Sequence, residues 1–422
     1  MILEFFLPSS FRYNCHLQKT MDTSRELSVP RDFFRSEDYF APALKASSLL
    51  LRVSNDYETE IIQNESVPEV IAIQRLITLA KNGTELRVRW GMQIGSRVFA
   101  APSLFPLLAV LLCLECSEHT IEDESGKVSI VDVQFFRRKI YNFRPLTDFF
   151  SDSQVVICAD SRGQGRPKAL YNADGTLLSR SDFETFVERL LAAQIGINVA
   201  TAQAVKFSLS VSTIVAELFE NTDIHGKSNL NGVPFRKNGV RGILFKRITL
   251  PSKSKKMTSH NIQRDDLSSV TALEQSSSTA VALEISVFDS GLGYYTSYSR
   301  NELEQETQLS DEWQVVHKCL ERHYSDGILP DTRTGHTGMG LYEVLRALQY
   351  LKGKFEVRSG RVYGFRTFLE GDAQFQVELP TSSTRPGMPK PVLLDQKKQF
   401  VRVPSPNEMV VGAAIRVLIP LS

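Results

Sequence analysis

The sequence predicts an α/β protein in two parts, a smaller α/β unit ending near residue 150 and a larger one beginning near residue 181. Three observations predict it. A chain of 422 residues exceeds one ordinary core at ~100 to 200 residues per domain. Helix-like and strand-like segments alternate between residues 66 and 150, the order of a small α/β layer. After residue 181 two helices come first and strands follow. Hydrophobic residues at 42% and charged residues at 23% are ordinary for a globular chain, so both parts can bury a core.

Residues 1–65 mix short apolar patches with proline and charge, show no period, and stay unassigned. VPEVIAIQRLITLAKNG has the spacing of an amphipathic helix ended by Asn82-Gly83, and ELRVRWG reads as a strand. FPLLAVLLCLE is a further apolar segment, and KVSIVDVQFF is expected to be a strand. In pattern this 66–150 unit resembles a STAS-type regulatory domain, a small sheet with helices that serves as a protein-interaction module; a generic α/β domain is the alternative. Residues 151–180 are expected to connect the two parts. They hold the strand VVICA, the basic glycine-rich turn SRGQGRP, and the turn signal Asp174-Gly175. Arg162 and Arg166 in that turn are read as solvated. SRSDFETFVERLLAAQIG starts a helix at Ser181-Asp182.

The stretch AELFENTDIHG, Ala216 to Gly226, carries the candidate chemistry. On a helix Glu217, Asn221 and His225 stack along one face at four-residue steps. Phe207, Val211, Ile214, Val215 and Leu218 form an adjoining apolar stripe suited to burial against a sheet. VRGILFKRITL and VALEISVF then read as paired strands around a serine-rich polar insertion at 251–279, and the second ends in the turn DSGLG. The largely polar segment 294–337, helical around EWQVVHKCLERHY, closes on TGHTGMGL and the helix YEVLRALQYLKG. KFEVRSG, RVYGFRTFL, AQFQVELP and AAIRVLIPL supply the last strands.

Net charge and cysteines narrow the function class. A formal charge of +1 lacks the basic excess of a dedicated nucleic-acid binder. Five scattered cysteines read as reduced thiols, and Cys113-x-x-Cys116 as core thiols, since no second pair completes a zinc site. MILEFFLPSSFRYNC lacks the pattern of a signal peptide, and the apolar run Leu104 to Leu114 is too short to span a bilayer. A cytoplasmic location without membrane contact is expected.

Three motifs occur in order, ELFENTDIH on a helix, DSGLG after a strand and GHTGMGL opening a helix. Together they suggest one nucleotide site. The Asn221 amide oxygen suits Mg²⁺, a hard cation, and Glu217 suits proton acceptance from a hydroxyl or water attacking a phosphate. Asp289 at a strand end can accept a hydrogen bond from an exocyclic amine such as that of adenine. Gly291 and Gly293 admit close backbone approach, while Gly335, Gly338 and Gly340 expose N–H groups toward phosphate at a helix start. Competing motifs fail on spacing. Asn221 stands where a P-loop needs its first glycine, and Thr296 where a dinucleotide fingerprint needs its third. HExxH and GxSxG are absent.

These residues resemble the GHKL (Bergerat-fold) ATPase superfamily, which includes gyrase B, MutL, histidine kinases and the anti-sigma-factor kinases. ELFEN looks like its N box, and DSGLG and GHTGMGL like its two glycine boxes, over about residues 180–422. The resemblance implies an α/β sandwich, a mixed sheet with helices on one face, and an ATP lid at 294–337. It implies Asn221 as the Mg²⁺ ligand, Glu217 as general base, Asp289 on adenine, and Gly335, His336, Thr337, Gly338, Gly340 and Leu341 around the phosphates. The expected function is a slow ATPase whose lid closure is relayed to a protein partner or the N-terminal unit. A serine/threonine kinase of the anti-sigma type and a nucleotide-gated interaction module without turnover are the alternatives. Relatives often dimerise, which leaves a homodimer open. One departure stands in the closing strand, where Gly412 is followed by Ala413 instead of the family's threonine.

Overall fold

Four strands, β1 (Ser24–Val29), β2 (Ser48–Val53), β3 (Glu85–Trp90) and β4 (Glu118–Ile121), pair in sequence order and all in parallel. The computed structural model describes residues 24–421 apart from 36, 55–66, 92–93, 95–104, 123–126, 129, 143–152, 162–165, 196–200, 251–279, 322–339, 369–391 and 398–400. A short 3-10 turn (Arg31–Phe34) and helices α1 (Glu37–Leu44), α2 (Glu69–Lys81) and α3 (Phe105–Cys113) connect the strands. Right-handed crossovers between sequential parallel strands return every helix to one face. Leu27, Val29, Leu49, Leu51, Leu86 and Val88 bury that face with the helices in one core.

Two expectations for this unit are corrected. The segment left unassigned at 1–65 supplies β1 and β2, half of the sheet. KVSIVDVQFF is a helix from its fourth residue onward, α4 (Ile130–Tyr141), and Glu118–Ile121 is the strand instead. Its β-branched run favours a strand, but Val133, Arg137 and Ile140 at helical spacing are the residues buried. The Arg137 guanidinium donates to the carbonyls of Leu112 and Leu114, satisfying groups at the end of α3 that the helix itself leaves open. Tertiary contact overrides local propensity here.

The second sheet takes β5 (Ser153–Ala159), β6 (Val240–Leu250), β7 (Ala280–Asp289), β8 (Lys354–Gly360), β9 (Val362–Thr367), β10 (Leu394–Asp395) and β11 (Val410–Leu421) in the order β10-β9-β8-β11-β7-β6-β5. Every described pairing is antiparallel, where a mixed sheet was expected. The stretch expected to be a connection contributes β5, an edge strand. AQFQVELP and the 251–279 insertion lie outside the described residues, although Leu250 and Ala280 do pair across the insertion.

Helices α5 (Arg180–Ile195), α6 (Ala202–His225) and α9 (Gly340–Tyr350) cover one face of this sheet. Val211, Ile214, Val215 and Leu218 of α6 are fully buried beside Ile243, Leu283, Ile285 and Val287, as their spacing predicted. The other face is covered too, by α2 and α3 of the N-terminal unit over Val155, Ile157, Val240, Leu244 and Phe288. Helices therefore lie on both faces, in place of the single covered face expected. The apolar run VVIC in β5 has this cause, since each strand residue needs a dry neighbour whichever way it points. Lower on that second face the charges alternate. Arg416 donates to Glu284 at 3.0 Å and Glu356 at 3.2 Å, and Lys354 meets Glu356 at 2.6 Å.

The start of α5 is set two residues earlier than its sequence signal. Ser179 Oγ accepts from the Asp182 N–H at 3.3 Å while Asp182 accepts from the Ser179 N–H at 3.3 Å, a reciprocal cap that satisfies two donors at the helix start. Ser179→Ala is expected to lower unfolding free energy by about 1 kcal/mol, measured in urea. Among the described residues one helix, α6, is long and apolar enough to cross a membrane by length and composition, and its apolar face is spent in the core.

Part of the expected lid is packed structure. α7 (Gly293–Ser299) follows the DSGLG turn directly, and α8 (Leu309–Leu320) buries Trp313 and Val316. His317 is fixed at both ring nitrogens, Nδ1 to Trp313 O at 2.9 Å and Nε2 accepting from the Leu393 N–H at 3.1 Å. Residues 322–339, with Gly335, His336, Thr337 and Gly338, lie outside the described residues.

Candidate functional site

Helix α6 delivers Glu217 and Asn221 to the same side, facing the start of α9. Thr201 caps α6, its side chain accepting from the Ala204 N–H at 3.1 Å, and fixes where the helical turns fall. Gly340, the first residue of α9, packs so closely that a Cβ there would collide with Glu217 Oε2 and lie 3.6 Å from Asn221 Nδ2. The first and third motifs thus converge on one spot. Glu217 is 13% exposed and ion-paired to Arg180 at the start of α5. The Asn221 amide nitrogen is buried and, among the described residues, has no hydrogen-bond partner. A buried amide nitrogen left unmatched costs roughly 1 to 3 kcal/mol, so a further acceptor is suited to this corner. Leu341 turns the other way, into the core, where it seats α9.

Asp289 ends β7, and three glycines, Gly226, Gly291 and Gly412, close around it, with Gly293 packed behind Gly412. A Cβ on Gly226 would lie 2.7 Å from Asp289 Cβ, and one on Gly291 would lie 2.6 Å from Gly226 Cα. Gly293 has φ of 70° with Ser359 Oγ 2.7 Å from where its Cβ would stand. Gly412, at φ 73°, packs against the Asp289 carbonyl with no room for a side chain. The carboxylate accepts from the Gly291 N–H at 2.8 Å and from the Ala413 N–H. So the second motif joins the first through Gly226, and the closing strand completes the corner. His225 contributes its backbone carbonyl beside Gly291, as the last residue of α6.

Burial pushes the Asp289 carboxyl up to about 6, against the opposing pull of the Gly291 and Ala413 N–H groups and of Arg241. The native state then binds a proton more readily than the unfolded chain between pH ~4 and ~6, so stability falls as pH rises through that window and is level above it. The loss is about 3 kcal/mol by linkage. Urea unfolding of the wild type and of Asp289→Asn across pH 4 to 7 checks this. The substitution is expected to remove that part of the pH dependence.

Beneath both corners runs a buried polar network that the sequence did not announce. Arg241, fully buried on β6, donates from Nε to Asp160 at 2.7 Å and pairs with Asp223 at 3.0 Å, and the Tyr171 hydroxyl donates to Asp223 at 2.7 Å. Burial alone would raise the Asp223 carboxyl; Arg241, Tyr171 and Lys227 outweigh it and hold it below the usual range. Asp223 lies within one turn of Asn221 and of the Gly226 cap, and less than two turns from Glu217, so the network fixes the rotation of α6. The signal was present in the acidic residue two positions after Asn221, but apart from Lys227 its partners, Arg241 and Tyr171, are 18 and 52 residues away. Arg180 and the Gly412–Ala413 pair were likewise missed as site residues, since each reaches the site from a separate element.

The cysteine reading stands in part: burial pushes the Cys116, Cys158 and Cys319 thiols up to about 12, which keeps them protonated and unreactive. Among the described residues no cluster of three or more histidine, cysteine or acidic side chains is placed to hold a metal. No family model, no curated protein and no solved structure matches the chain.

Proposed function

We propose that the larger unit binds ATP with Mg²⁺ in the manner of the GHKL superfamily and turns it over slowly, with the N-terminal α/β unit as its regulatory or partner-binding module. The observation that carries this reading is the convergence of three separated motifs, with Gly340 of the third packed on Glu217 and Asn221 of the first, and Gly226 of the first packed on Asp289 and Gly291 of the second. Glycines occur where backbone must approach closely, and three of them pack against Asp289. Asp289 is ionised at neutral pH and buried, which suits recognition of an exocyclic amine by a strong acceptor shielded from water.

The residues present fit a small hard cation. Asn221 is half-buried with its amide nitrogen enclosed and unmatched among the described residues, and half a turn about its amide presents an oxygen to the same space. Mg²⁺ held there would neutralise phosphate charge. The start of α9 lies against the same two side chains, so its first N–H groups and the helix dipole favour an anion at that end. Glu217, one turn before Asn221, is the group placed to take a proton from the attacking oxygen.

A second reading, a nucleotide-gated interaction module without turnover, is favoured by the Arg180 ion pair, which occupies the Glu217 carboxylate. Incubation of the full chain with γ-labelled ATP and Mg²⁺ separates the readings. Free labelled phosphate supports the ATPase, and label on a protein in a lysate supports the anti-sigma-type kinase. Binding with neither supports the module, and absence of any ATP binding contradicts all three.

A further inference from the structure

Helix α2 belongs to the N-terminal unit, yet two of its buried polar side chains are spent on the strand that closes the Asp289 corner. Thr78 Oγ1 donates to Gln74 O at 2.8 Å and accepts from the Val411 N–H at 3.1 Å. Gln74 Nε2 donates to Arg358 O at 3.3 Å, on the neighbouring strand β8. Val411 sits in a bulge of β11, where the β8 register jumps between Val410 and Ala413. A bulge adds a residue to one strand and re-aims the groups after it. Here the groups after it are Gly412, at φ 73° against the Asp289 carbonyl, and Ala413, whose N–H reaches the Asp289 carboxylate. Ser359 Oγ, donating to Gly412 O at 3.1 Å, holds the bulge from the β8 side. Thr78 holds it from the other unit.

We propose that Thr78 is a positioning residue for Asp289: by accepting from Val411 N–H it keeps the β11 bulge in the shape that directs the Ala413 N–H onto the carboxylate. Val411 N–H has no pairing partner on β8, because the register skips it, so the hydroxyl is what satisfies that partly buried donor. A valine at 78 has nearly the shape of threonine but no acceptor, and it leaves the N–H to find another partner by moving the bulge. The charged groups that face Asp289 are unaltered by that change: Arg241 on β6, Asp160 after β5, and Lys81 at the end of α2. The importance of the contact for nucleotide recognition rests on the ATP reading, whereas the contact itself is testable without nucleotide.

The test is carboxyl-carbon NMR of the full chain labelled at aspartate, with the Asp289 signal identified by its loss in Asp289→Asn. Thr78→Val is expected to raise the Asp289 titration midpoint by about one pH unit, since a hydrogen bond to the charged form is lost, and Thr78→Ser to restore it. Thr78→Ala serves if the valine is not accommodated. A variant that is less stable but titrates at Asp289 as the wild type does would overturn the proposal and leave Thr78 a structural residue only. Mg·ATP titration of the same proteins adds a separate readout, with binding expected to weaken several-fold in Thr78→Val and recover in Thr78→Ser. A shifted Asp289 midpoint in a chain that binds no ATP supports the positioning role while refuting the nucleotide reading.

Discussion

Gly412→Ala is expected to destabilise the protein by about 4 kcal/mol or more, because two independent penalties fall on one position. A left-handed backbone conformation costs an L residue roughly 1 to 2 kcal/mol, and Gly412 has φ of 73°. The second penalty is steric. The added methyl meets the Asp289 carbonyl, a backbone group in the middle of a seven-stranded sheet that cannot turn aside as a long side chain would. Relief requires either the bulge to unfold or β7 and β11 to part, and either would break the Ala413 contact with Asp289. Urea unfolding measures the loss, and a variant within about 0.5 kcal/mol of wild type would show that the bulge is freely remodelled. Gly340→Ala makes an instructive contrast. Its methyl would meet the end of the Glu217 side chain, which can swing away, so the fold is spared and the site is disturbed.

Glu217→Gln is expected to reduce phosphate release by roughly 100- to 10,000-fold, the usual contribution of a positioned general base, with Mg·ATP affinity little changed. The amide keeps the shape of the carboxylate against Gly340 but cannot accept a full proton. It also loses the charge that pairs with Arg180, an exposed side chain whose ion pair contributes ~1 kcal/mol or less. Loss of the ion pair cannot therefore account for a rate effect of that size. Turnover measured under saturating Mg·ATP checks it. Equal rates in the two proteins would place the proton acceptor elsewhere.

The candidate site was legible because its motifs carry residue types that have few other uses at those places. The spacing of Glu217 and Asn221 and the stripe Val211, Ile214, Val215 and Leu218 both follow from one helical period, and α6 shows both. The turn after VALEISVF and the glycine at the start of α9 were equally local signals. What was not legible is what arrives from elsewhere in the chain. Gly412 acts on Asp289 through a register jump, and a bulge leaves no mark in the sequence beyond a glycine in a strand. Arg241 looks like one more basic residue in VRGILFKRITL, and only pairing with β5 and packing on α6 bring it to Asp160 and Asp223.

The fold was legible to the level of α/β, and its layering was not. Helix α2 has the amphipathic spacing expected of it, yet its polar residues Gln74, Arg75 and Thr78 are all buried. Each has a polar partner: Arg75 donates to Phe33 O at 2.7 Å and Arg35 O at 2.6 Å, and the other two meet β8 and β11. A helix between two sheets needs such residues to satisfy backbone groups it covers, so polarity there marks specificity of docking. The parallel strands β1 and β2 were missed because each is six residues long and lies among proline and charge, where no period can accumulate.

The central claim is that Asp289, Asn221 and Glu217 belong to one nucleotide site. Calorimetric titration of Mg·ATP into the wild-type chain and into Asp289→Asn at pH 7.5 tests it most directly. Saturable one-site binding by the wild type, weakened at least tenfold in a variant that unfolds at a similar urea concentration, is the predicted result. Absence of binding by the wild type, or equal binding by both proteins, would contradict it.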